Sequence, residues 1–253
     1  MLESLPVVHD PLFYAVAVPA VLLIGLSKSG FAAGFGSAAT PVLALVAGGP
    51  MAAAVMLPLL IAMDATGLQQ MWKDRDPALV RRLVPWGLAG IAAGTLLFGM
   101  LSARAVSGLL GVLTLAFLAQ RLLWAPRRDA APPPTWVGRA CSTASGFTSF
   151  VAHAGGPPLM AYVLPLRLEP RVSAATMAVF FAAINLSKIA PYGALGLLDL
   201  RNLATSLVLL PLAPLGVWAG VWLVRRVNPT WFYRLAYAGM AVTGVKLLWD
   251  AVA

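Results

Sequence analysis

Two stretches of the sequence interrupt long apolar runs with glycine, proline and hydroxyl side chains, and both are suited to binding a solute. Glycine allows backbone dihedrals that other residues resist, and proline removes a helix hydrogen-bond donor, so we expect a broken helix at each stretch. In a membrane, the backbone groups freed by such breaks have to line a cavity or be buried in protein. Helix N-termini that meet at a cavity present N–H groups to an anion. The candidate substrate-binding residues are Ser27, Lys28, Ser29, Gly30, Thr40 and Pro41 in the first stretch, and His153, Gly155, Gly156 and Pro157 in the second.

A later apolar segment in each half of the chain also carries polar side chains. Asp64 in the first half and Asn185 in the second follow a proline at nearly the same interval, which indicates equivalent positions. Asn185, Lys188 and Tyr192 have the spacing of one face of one helix. A charged residue at membrane depth costs about 2.5–3.5 kcal/mol on insertion scales, so such residues are usually functional or paired. We therefore add Asn185, Lys188 and Tyr192 to the substrate-binding residues, with Asp64 as a residue for ion coupling.

Each of these residues also has a structural interpretation. Asp64 could form a structural ion pair with Lys188 or with Lys28 instead of carrying a proton. Lys28 could extend its ammonium group to the cytoplasmic interface. His153 could titrate near neutral pH, yet a lone histidine beside a helix break is as often a structural hydrogen-bonding residue. The glycines of the two stretches could serve close helix packing.

The composition requires a lipid environment around most of the chain. Of 253 residues, 60% are hydrophobic and 11% are charged, whereas a soluble domain carries about 25% charged residues. The mean hydropathy is +0.84. The net charge of +9 does not indicate nucleic-acid binding, because the charges punctuate apolar runs as they do in the cytoplasmic loops of membrane proteins. The single cysteine, Cys141, excludes an intrachain disulfide, and without metal-ligand spacing we expect no metal and no cofactor.

The apolar segments predict an all-α polytopic membrane protein. Residues 1–124 form a first transmembrane repeat, residues 125–135 a polar, proline-rich cytoplasmic linker, and residues 136–253 a second repeat. Each repeat has about five segments, and eight of the segments are long helices that can span a bilayer with roughly 20 residues each. The two short segments, 37–49 and 156–167, either span the membrane or re-enter it. The segments are 12–29, 37–49, 51–72, 83–101, 104–124, 136–153, 156–167, 172–196, 202–224 and 230–251.

Two observations indicate that the halves are inverted repeats. Short patterns recur at nearly one offset, with Pro85, Gly90 and Gly94 matching Pro211, Gly216 and Gly220, and Arg121–Trp124 matching Lys246–Trp249. For the glycines of this pattern we favour a role in helix packing. Lysine and arginine concentrate in alternate loops, so the positive-inside rule predicts that both termini lie outside a bacterial inner (plasma) membrane. An odd number of segments per half then makes the two halves inverted.

With these motifs the chain resembles the TauE/SafE family of membrane permeases, also called sulfite exporter TauE/SafE-like proteins, over residues 12–251. The similarity rests on Gly25 through Pro41 with Pro50 downstream, and on the run from Gly146 through His153 to Pro158 that leads to Asn185, Lys188 and Tyr192. The first half departs from the family pattern, because the glycine cluster after the first helix is reduced to Gly30, Gly34 and Gly36. The resemblance implies transport of a small sulfur-containing anion such as sulfite, a sulfonate or sulfoacetate, with other small carboxylates as alternatives.

We therefore expect a secondary transporter for a small anion and not an enzyme. The chain lacks the nucleotide-binding motif of an ATPase, so a proton or sodium gradient, or simple uniport, has to drive transport. The alternatives are a non-transporting membrane scaffold and an intramembrane hydrolase that pairs Ser145 or Ser149 with His153. The expected partners are a small anion and the lipid bilayer, without nucleic acid. The sequence leaves open the direction of transport, the coupling ion and the oligomeric state, a homodimer included.

Overall fold

Helices joined by turns form the described part of the chain. The computed structural model describes residues 6–28, 36, 39–97, 132–226 and 228–252, and isolated positions between 98 and 131. The helices are α1 (Pro11–Lys28), α2 (Ala39–Ala47), α3 (Gly49–Met71), α4 (Pro77–Leu96), α5 (Thr135–Ala152), α6 (Gly156–Val163), α7 (Pro170–Ser187), α8 (Ile189–Ala194), α9 (Leu200–Leu209), α10 (Leu212–Val224) and α11 (Pro229–Val252). The prediction of an all-helical protein is confirmed for these residues. Most of segment 104–124 and of the linker 125–135 lies outside them.

Several of these helices are long and apolar enough to cross a membrane. Within the described residues, three spans meet this description, namely Pro11–Lys28, Pro50–Asp74 and Pro170–Ala194. A fourth results if the bent pair of α9 and α10 is counted as one crossing. The helices α4, α5 and α11 have similar lengths but more polar compositions. The chain is therefore a multi-pass membrane protein, whereas the predicted inverted orientation of two complete repeats stays a prediction.

Prolines interrupt two of the predicted segments in the second half. α7 ends at Ser187, whose carbonyl group would accept the N–H that Pro191 lacks. α9 and α10 meet at an angle of 46° around Pro211. The predicted segment 202–224 is thus two helices and not one, although the matching Pro85 of the first half lies inside the continuous helix α4.

The helices α3 and α7 lie at the centre of the protein. Of the most apolar stretch of each span, 61% is buried for Pro50–Asp74 and 67% for Pro170–Ala194, against 33% for Pro11–Lys28. α3 contacts α1, α2, α7, α9 and α10. Because α3 carries Asp64 and α7 carries Asn185, both polar side chains lie in the buried interior.

Glycine residues allow two pairs of helices to pack closely. α1 packs on α10 at Gly25 and Gly216, where a Cβ on Gly25 would lie 2.8 Å from the Gly216 Cα. α4 packs on α5 at Gly90 and Gly146, where a Cβ on Gly90 would collide with the Thr143 carbonyl oxygen. The packing interpretation of Gly90 and Gly216 is therefore confirmed. The two contacts occupy matching places in the two halves, since Gly90 and Gly216 belong to the repeated pattern.

Candidate functional site

The C-terminal ends of α1 and α5 and the beginning of α6 meet α3 and α7 around a cavity. Its volume is about 60 Å³, which is enough for a few water molecules or a small anion. Its apolar wall includes Leu60, Met160, Met177 and Phe181. Its polar side chains are Ser27, Lys28, Ser149, His153 and Asn185. A few polar groups in an apolar lining are typical of a small-molecule site.

Asp64 on α3 joins α1 to α7 through its carboxylate. Lys28, at the end of α1, forms a salt bridge with Oδ1 of Asp64. Asn185 on α7 donates from Nδ2 to Oδ2 of Asp64 at 2.7 Å. The Lys28 Nζ also lies 5.5 Å from the centroid of the Phe181 ring, within cation–π range. The Asp64–Lys28 pair anticipated as a structural alternative therefore forms, and it forms at the cavity wall, where the same ammonium group can contact a ligand.

Lys188 directly follows α7 and is completely buried. Its Nζ lies 2.9 Å from each of three atoms, the Ser149 carbonyl oxygen, Ser149 Oγ and His153 Nδ1. Because an ammonium group only donates, His153 Nδ1 accepts, and the ring proton is on Nε2. That nitrogen donates to the Ala53 carbonyl oxygen at 3.0 Å. Lys188 therefore connects α7 to the end of α5, and His153 extends the connection to α3.

The turn after α5 positions His153 at the cavity. His153 ends α5 in the left-handed backbone conformation with φ of 52°, which histidine adopts more often than most non-glycine residues. Ser145 Oγ donates to the Gly155 carbonyl oxygen at 2.7 Å, and Thr148 Oγ1 donates to the Ala154 carbonyl oxygen at 3.1 Å. These hydroxyl groups satisfy backbone acceptors that the helix break leaves unpaired. The serine and threonine of the second broken stretch are thus explained by the shape of this turn.

The ionisable side chains around the cavity include two lysines and one carboxylate. Asp64 is the counter-charge of Lys28, and Lys188 adds a second positive charge when it is protonated. Within the described ranges, no carboxylate lies within salt-bridge distance of Lys188, and its hydrogen-bond partners are neutral. A buried charge is costly unless it is paired. When Lys188 is protonated, an anion in the cavity would supply the missing negative charge.

Six of the thirteen predicted substrate-binding residues lie at or directly behind the cavity wall. Ser27, Lys28, His153, Gly156 and Asn185 line the cavity, and Asp64 and Lys188 form hydrogen bonds to lining residues. Thr40, Gly155, Pro157 and Tyr192 are not lining residues. Pro41 belongs to α2, and Ser29 and Gly30 lie outside the described residues.

Tyr192 is predicted from its helical spacing as a substrate contact, and the structure gives its side chain other partners. Its hydroxyl group donates to the Phe150 carbonyl oxygen at 2.7 Å. Its ring packs edge-to-face on the Phe150 ring with a centroid distance of 5.3 Å. In this arrangement Tyr192 stabilises the end of α5 and does not reach the cavity.

Ser149 is a cavity residue that the sequence interpretation includes only as a nucleophile. It accepts a hydrogen bond from Lys188 and forms part of the wall. The interval that separates Asp64 from Asn185 also separates Lys28 from Ser149. When the same offset is applied to Lys28, it identifies Ser149 as the equivalent residue of the second half.

A second and larger cleft lies where α3 ends, α7 begins and α10 ends. Its volume is about 710 Å³, and its polar lining comprises Gln69, Gln70, Lys73, Asp74, Arg171 and Arg225. Arg225 donates to the Gln70 carbonyl oxygen at 3.2 Å, which ties α10 to α3. The rise of an α-helix separates Gln70 from Asp64 by about 9 Å along α3. The cleft therefore has a positive lining and adjoins the same helix that carries the buried carboxylate.

Membrane-crossing helices whose ends meet at a cavity with a few polar and basic side chains are typical of small-solute transporters of the membrane. The chain belongs to the sulfite exporter TauE/SafE family, whose family model matches residues 17–247. The resemblance noted from the sequence motifs is thereby confirmed over nearly the whole chain. Members of this family are membrane transporters and not enzymes. No curated protein and no solved structure matches the chain.

Proposed function

We propose that the protein is a secondary transporter that moves a small sulfur-containing anion, such as sulfite, a sulfonate or sulfoacetate, through the cavity between its broken helices. The observation that carries the proposal is the buried ammonium group of Lys188, whose partners are Ser149 and His153 and not a carboxylate. The family supplies the sulfur chemistry of the substrate. Other small carboxylates are the alternative that the charge of the site would equally accept.

Lys28 and the first turn of α6 are the groups we assign to direct contact with the anion. The Lys28 ammonium group lines the cavity and bonds Asp64 with one of its three donors. α6 begins at the cavity wall with Gly156, so the positive end of its dipole lies beside the ligand. Lys188 acts behind them through its charge, because Ser149 and His153 separate it from the cavity.

The apolar part of the wall strengthens these interactions. Leu60, Met160, Met177 and Phe181 border the cavity and offer no hydrogen bonds to water within it. Electrostatic attraction between an anion and the two lysines is stronger in such a low-dielectric space than in water. The apolar wall therefore strengthens the attraction between the lysines and an anion in the cavity.

We assign ion coupling to Asp64 and substrate entrance to the cationic cleft. Asp64 lies between Lys28 and Asn185, so binding of a proton or sodium ion at its carboxylate would alter the contacts of both. The cleft lined by Lys73, Arg171 and Arg225 lies on the side that the positive-inside rule assigns to the cytoplasm. Its charges would concentrate anions at the entrance.

A binding and transport measurement on the full chain tests the proposal. Purified protein is titrated calorimetrically with sulfite, sulfate, thiosulfate, sulfoacetate and acetate, and the anions that bind are then tested for uptake into proteoliposomes. We expect one or more sulfur anions to bind to the wild type and to Lys246→Met, a control on α11, and to lose binding to Lys188→Met. A folded Lys188→Met variant that binds and transports like the wild type would exclude the proposal and favour the scaffold alternative.

A further inference from the structure

One polar atom of the cavity wall, Asn185 Oδ1, has no hydrogen-bond partner in the part of the chain that the structure describes. Asn185 lines the cavity and is 2% exposed, and among the described residues no group donates a hydrogen bond to its Oδ1. The orientation of the amide follows from its other contact, because Nδ2 donates to the Asp64 carboxylate at 2.7 Å. Rotating the amide would bring Oδ1 against that carboxylate, and two acceptors repel. Oδ1 is therefore an acceptor held in a fixed direction.

A buried acceptor without a donor costs free energy, and proteins rarely retain one. A ligand that brings a hydrogen-bond donor into the cavity would satisfy Asn185 Oδ1. A ligand whose surface consists only of acceptors, such as a fully deprotonated oxyanion, would meet an acceptor there and bind less well. Asn185 Oδ1 in the cavity wall would therefore select against anions that present only oxygen atoms without hydrogen.

The charge of the site leads to the same class of ligand. When both lysines are protonated, Lys28 and Lys188 supply two positive charges, and Asp64, which pairs with Lys28, supplies one negative charge. A monoanion neutralises the excess, whereas a dianion leaves a net negative charge in a buried, apolar space. Since buried net charge is unfavourable, the cavity matches a monoanion better than a dianion.

We propose that the transported species is a monoanion that keeps an O–H or N–H donor, and that this donor bonds to Asn185 Oδ1. Hydrogensulfite and sulfonates that carry an amino or hydroxyl group belong to this class, whereas sulfite and sulfate dianions do not. The inference rests on the proposed function, because it assumes that the cavity is the anion site. It adds that Asn185 selects among anions by their donor.

Two anions of the same size and charge provide the test. Sulfamate and methanesulfonate are both monoanions with a tetrahedral sulfur, and they differ by an amino group in place of a methyl group. Calorimetric titration of the full chain in detergent should give sulfamate an affinity about tenfold higher or more, because methanesulfonate leaves Asn185 Oδ1 unpaired. The same order should hold for competition against substrate uptake in proteoliposomes.

Variants of residues in the cavity wall test whether Asn185 causes the preference for sulfamate over methanesulfonate. Asn185→Leu should bring the two affinities to within about twofold, while Met177→Leu, which alters the same cavity without a polar change, should keep the preference. The wild-type comparison decides the question even where a variant does not fold. Equal affinities, or tighter binding of methanesulfonate, would overturn the donor requirement and leave the proposed function standing. If neither these two monoanions nor any of the sulfur anions named above binds, the proposed function fails and the inference fails with it.

Discussion

Asp64 of α3 accepts a hydrogen bond from Asn185 of α7 at 2.7 Å, and the two residues stand at equivalent positions of the predicted repeats. Residues related by a twofold axis contact each other only where they lie beside that axis. If a twofold axis relates the two predicted repeats, the Asp64–Asn185 contact requires this axis to pass beside the cavity. The glycine contacts agree with it, since α1 packs on α10 as α5 packs on α4. The two equivalent positions differ in charge, since Asp64 is a carboxylate and Asn185 is an amide. Two carboxylates in contact at this place would repel each other.

Removal of the Asp64 carboxylate should strongly destabilise the protein. Asp64→Leu leaves the ammonium group of Lys28 buried without its counter-charge, and breaking a buried pair in this way costs about 3–5 kcal/mol. The double variant Lys28→Met/Asp64→Leu should recover most of the loss, because neither charge is then unpaired. Chemical unfolding in detergent measures both effects. If the destabilisation of the double variant equalled the sum of the effects of Lys28→Met and Asp64→Leu measured alone, the two residues would not be coupled.

Truncation of Ser149 should weaken the anion site without abolishing transport. Ser149→Ala removes one acceptor of Lys188 but keeps the backbone carbonyl oxygen and His153 as partners. The loss of one hydrogen bond to a charged group corresponds to about 1.5–3 kcal/mol, so anion affinity should fall by roughly 10- to 150-fold at most. Proteoliposome uptake at saturating substrate should persist. Complete loss of function in a folded Ser149→Ala protein would instead favour the hydrolase alternative, in which this hydroxyl group is the nucleophile.

A methyl group at Gly25 should separate α1 from α10. The Cβ of Gly25→Ala would lie 2.8 Å from the Gly216 Cα and 3.1 Å from the Val217 amide nitrogen, so the helices have to move apart. Overpacking of this kind costs about 1–3 kcal/mol, and it should also reduce transport because α1 carries Lys28.

The matched control for this substitution is Gly193→Ala. Gly193 is in α8, and a Cβ there would have no heavy atom within 4 Å. Its replacement should leave thermal stability unchanged or slightly raised, since alanine has the higher helix propensity. Equal effects of Gly25→Ala and Gly193→Ala on the melting temperature would contradict the close packing of α1 on α10.

Much of the cavity could be predicted from sequence because polar residues are rare in apolar helices. Lys28, Asp64, Asn185 and Lys188 stand out from their neighbours, and the cost of burying a polar or charged side chain in lipid leaves few explanations for them. Which lysine pairs with Asp64 depends on how α1 and α7 approach α3. That approach is set by packing between distant residues, so the sequence leaves both lysines as alternatives.

Tyr192 and the matching prolines mark where local patterns are insufficient. The spacing of Tyr192 correctly suggests proximity to Lys188, but its hydroxyl group bonds to the Phe150 carbonyl oxygen, a partner on another helix that spacing alone does not reveal. Pro85 and Pro211 occupy matching positions, yet only the second accompanies a bend of 46°. A helix can absorb a proline or break at it, and neighbouring helices decide between these outcomes.

Neutralisation of the cationic cleft should slow transport in a salt-dependent way. Arg171→Gln/Arg225→Gln removes two positive charges from the lining of the cleft, so anions would no longer be concentrated at the entrance. At low ionic strength, where charges act over about 30 Å, uptake at substrate concentrations below saturation should fall by a factor on the order of 10. At about 1 M salt, where the range is about 3 Å, wild type and variant should converge, since the cavity itself is unchanged.

The matched control for the cleft variant is Arg104→Gln/Arg201→Gln. It changes the net charge equally, and both arginines are exposed and do not line the cleft. Their loss should have little effect on initial rates from the cleft side at any salt concentration. If both double variants slowed transport equally at low salt, the effect would come from the overall charge of the protein and the cleft would not be the entrance. A salt-dependent loss confined to the Arg171/Arg225 variant would connect the cleft to the path that leads along α3 to Asp64.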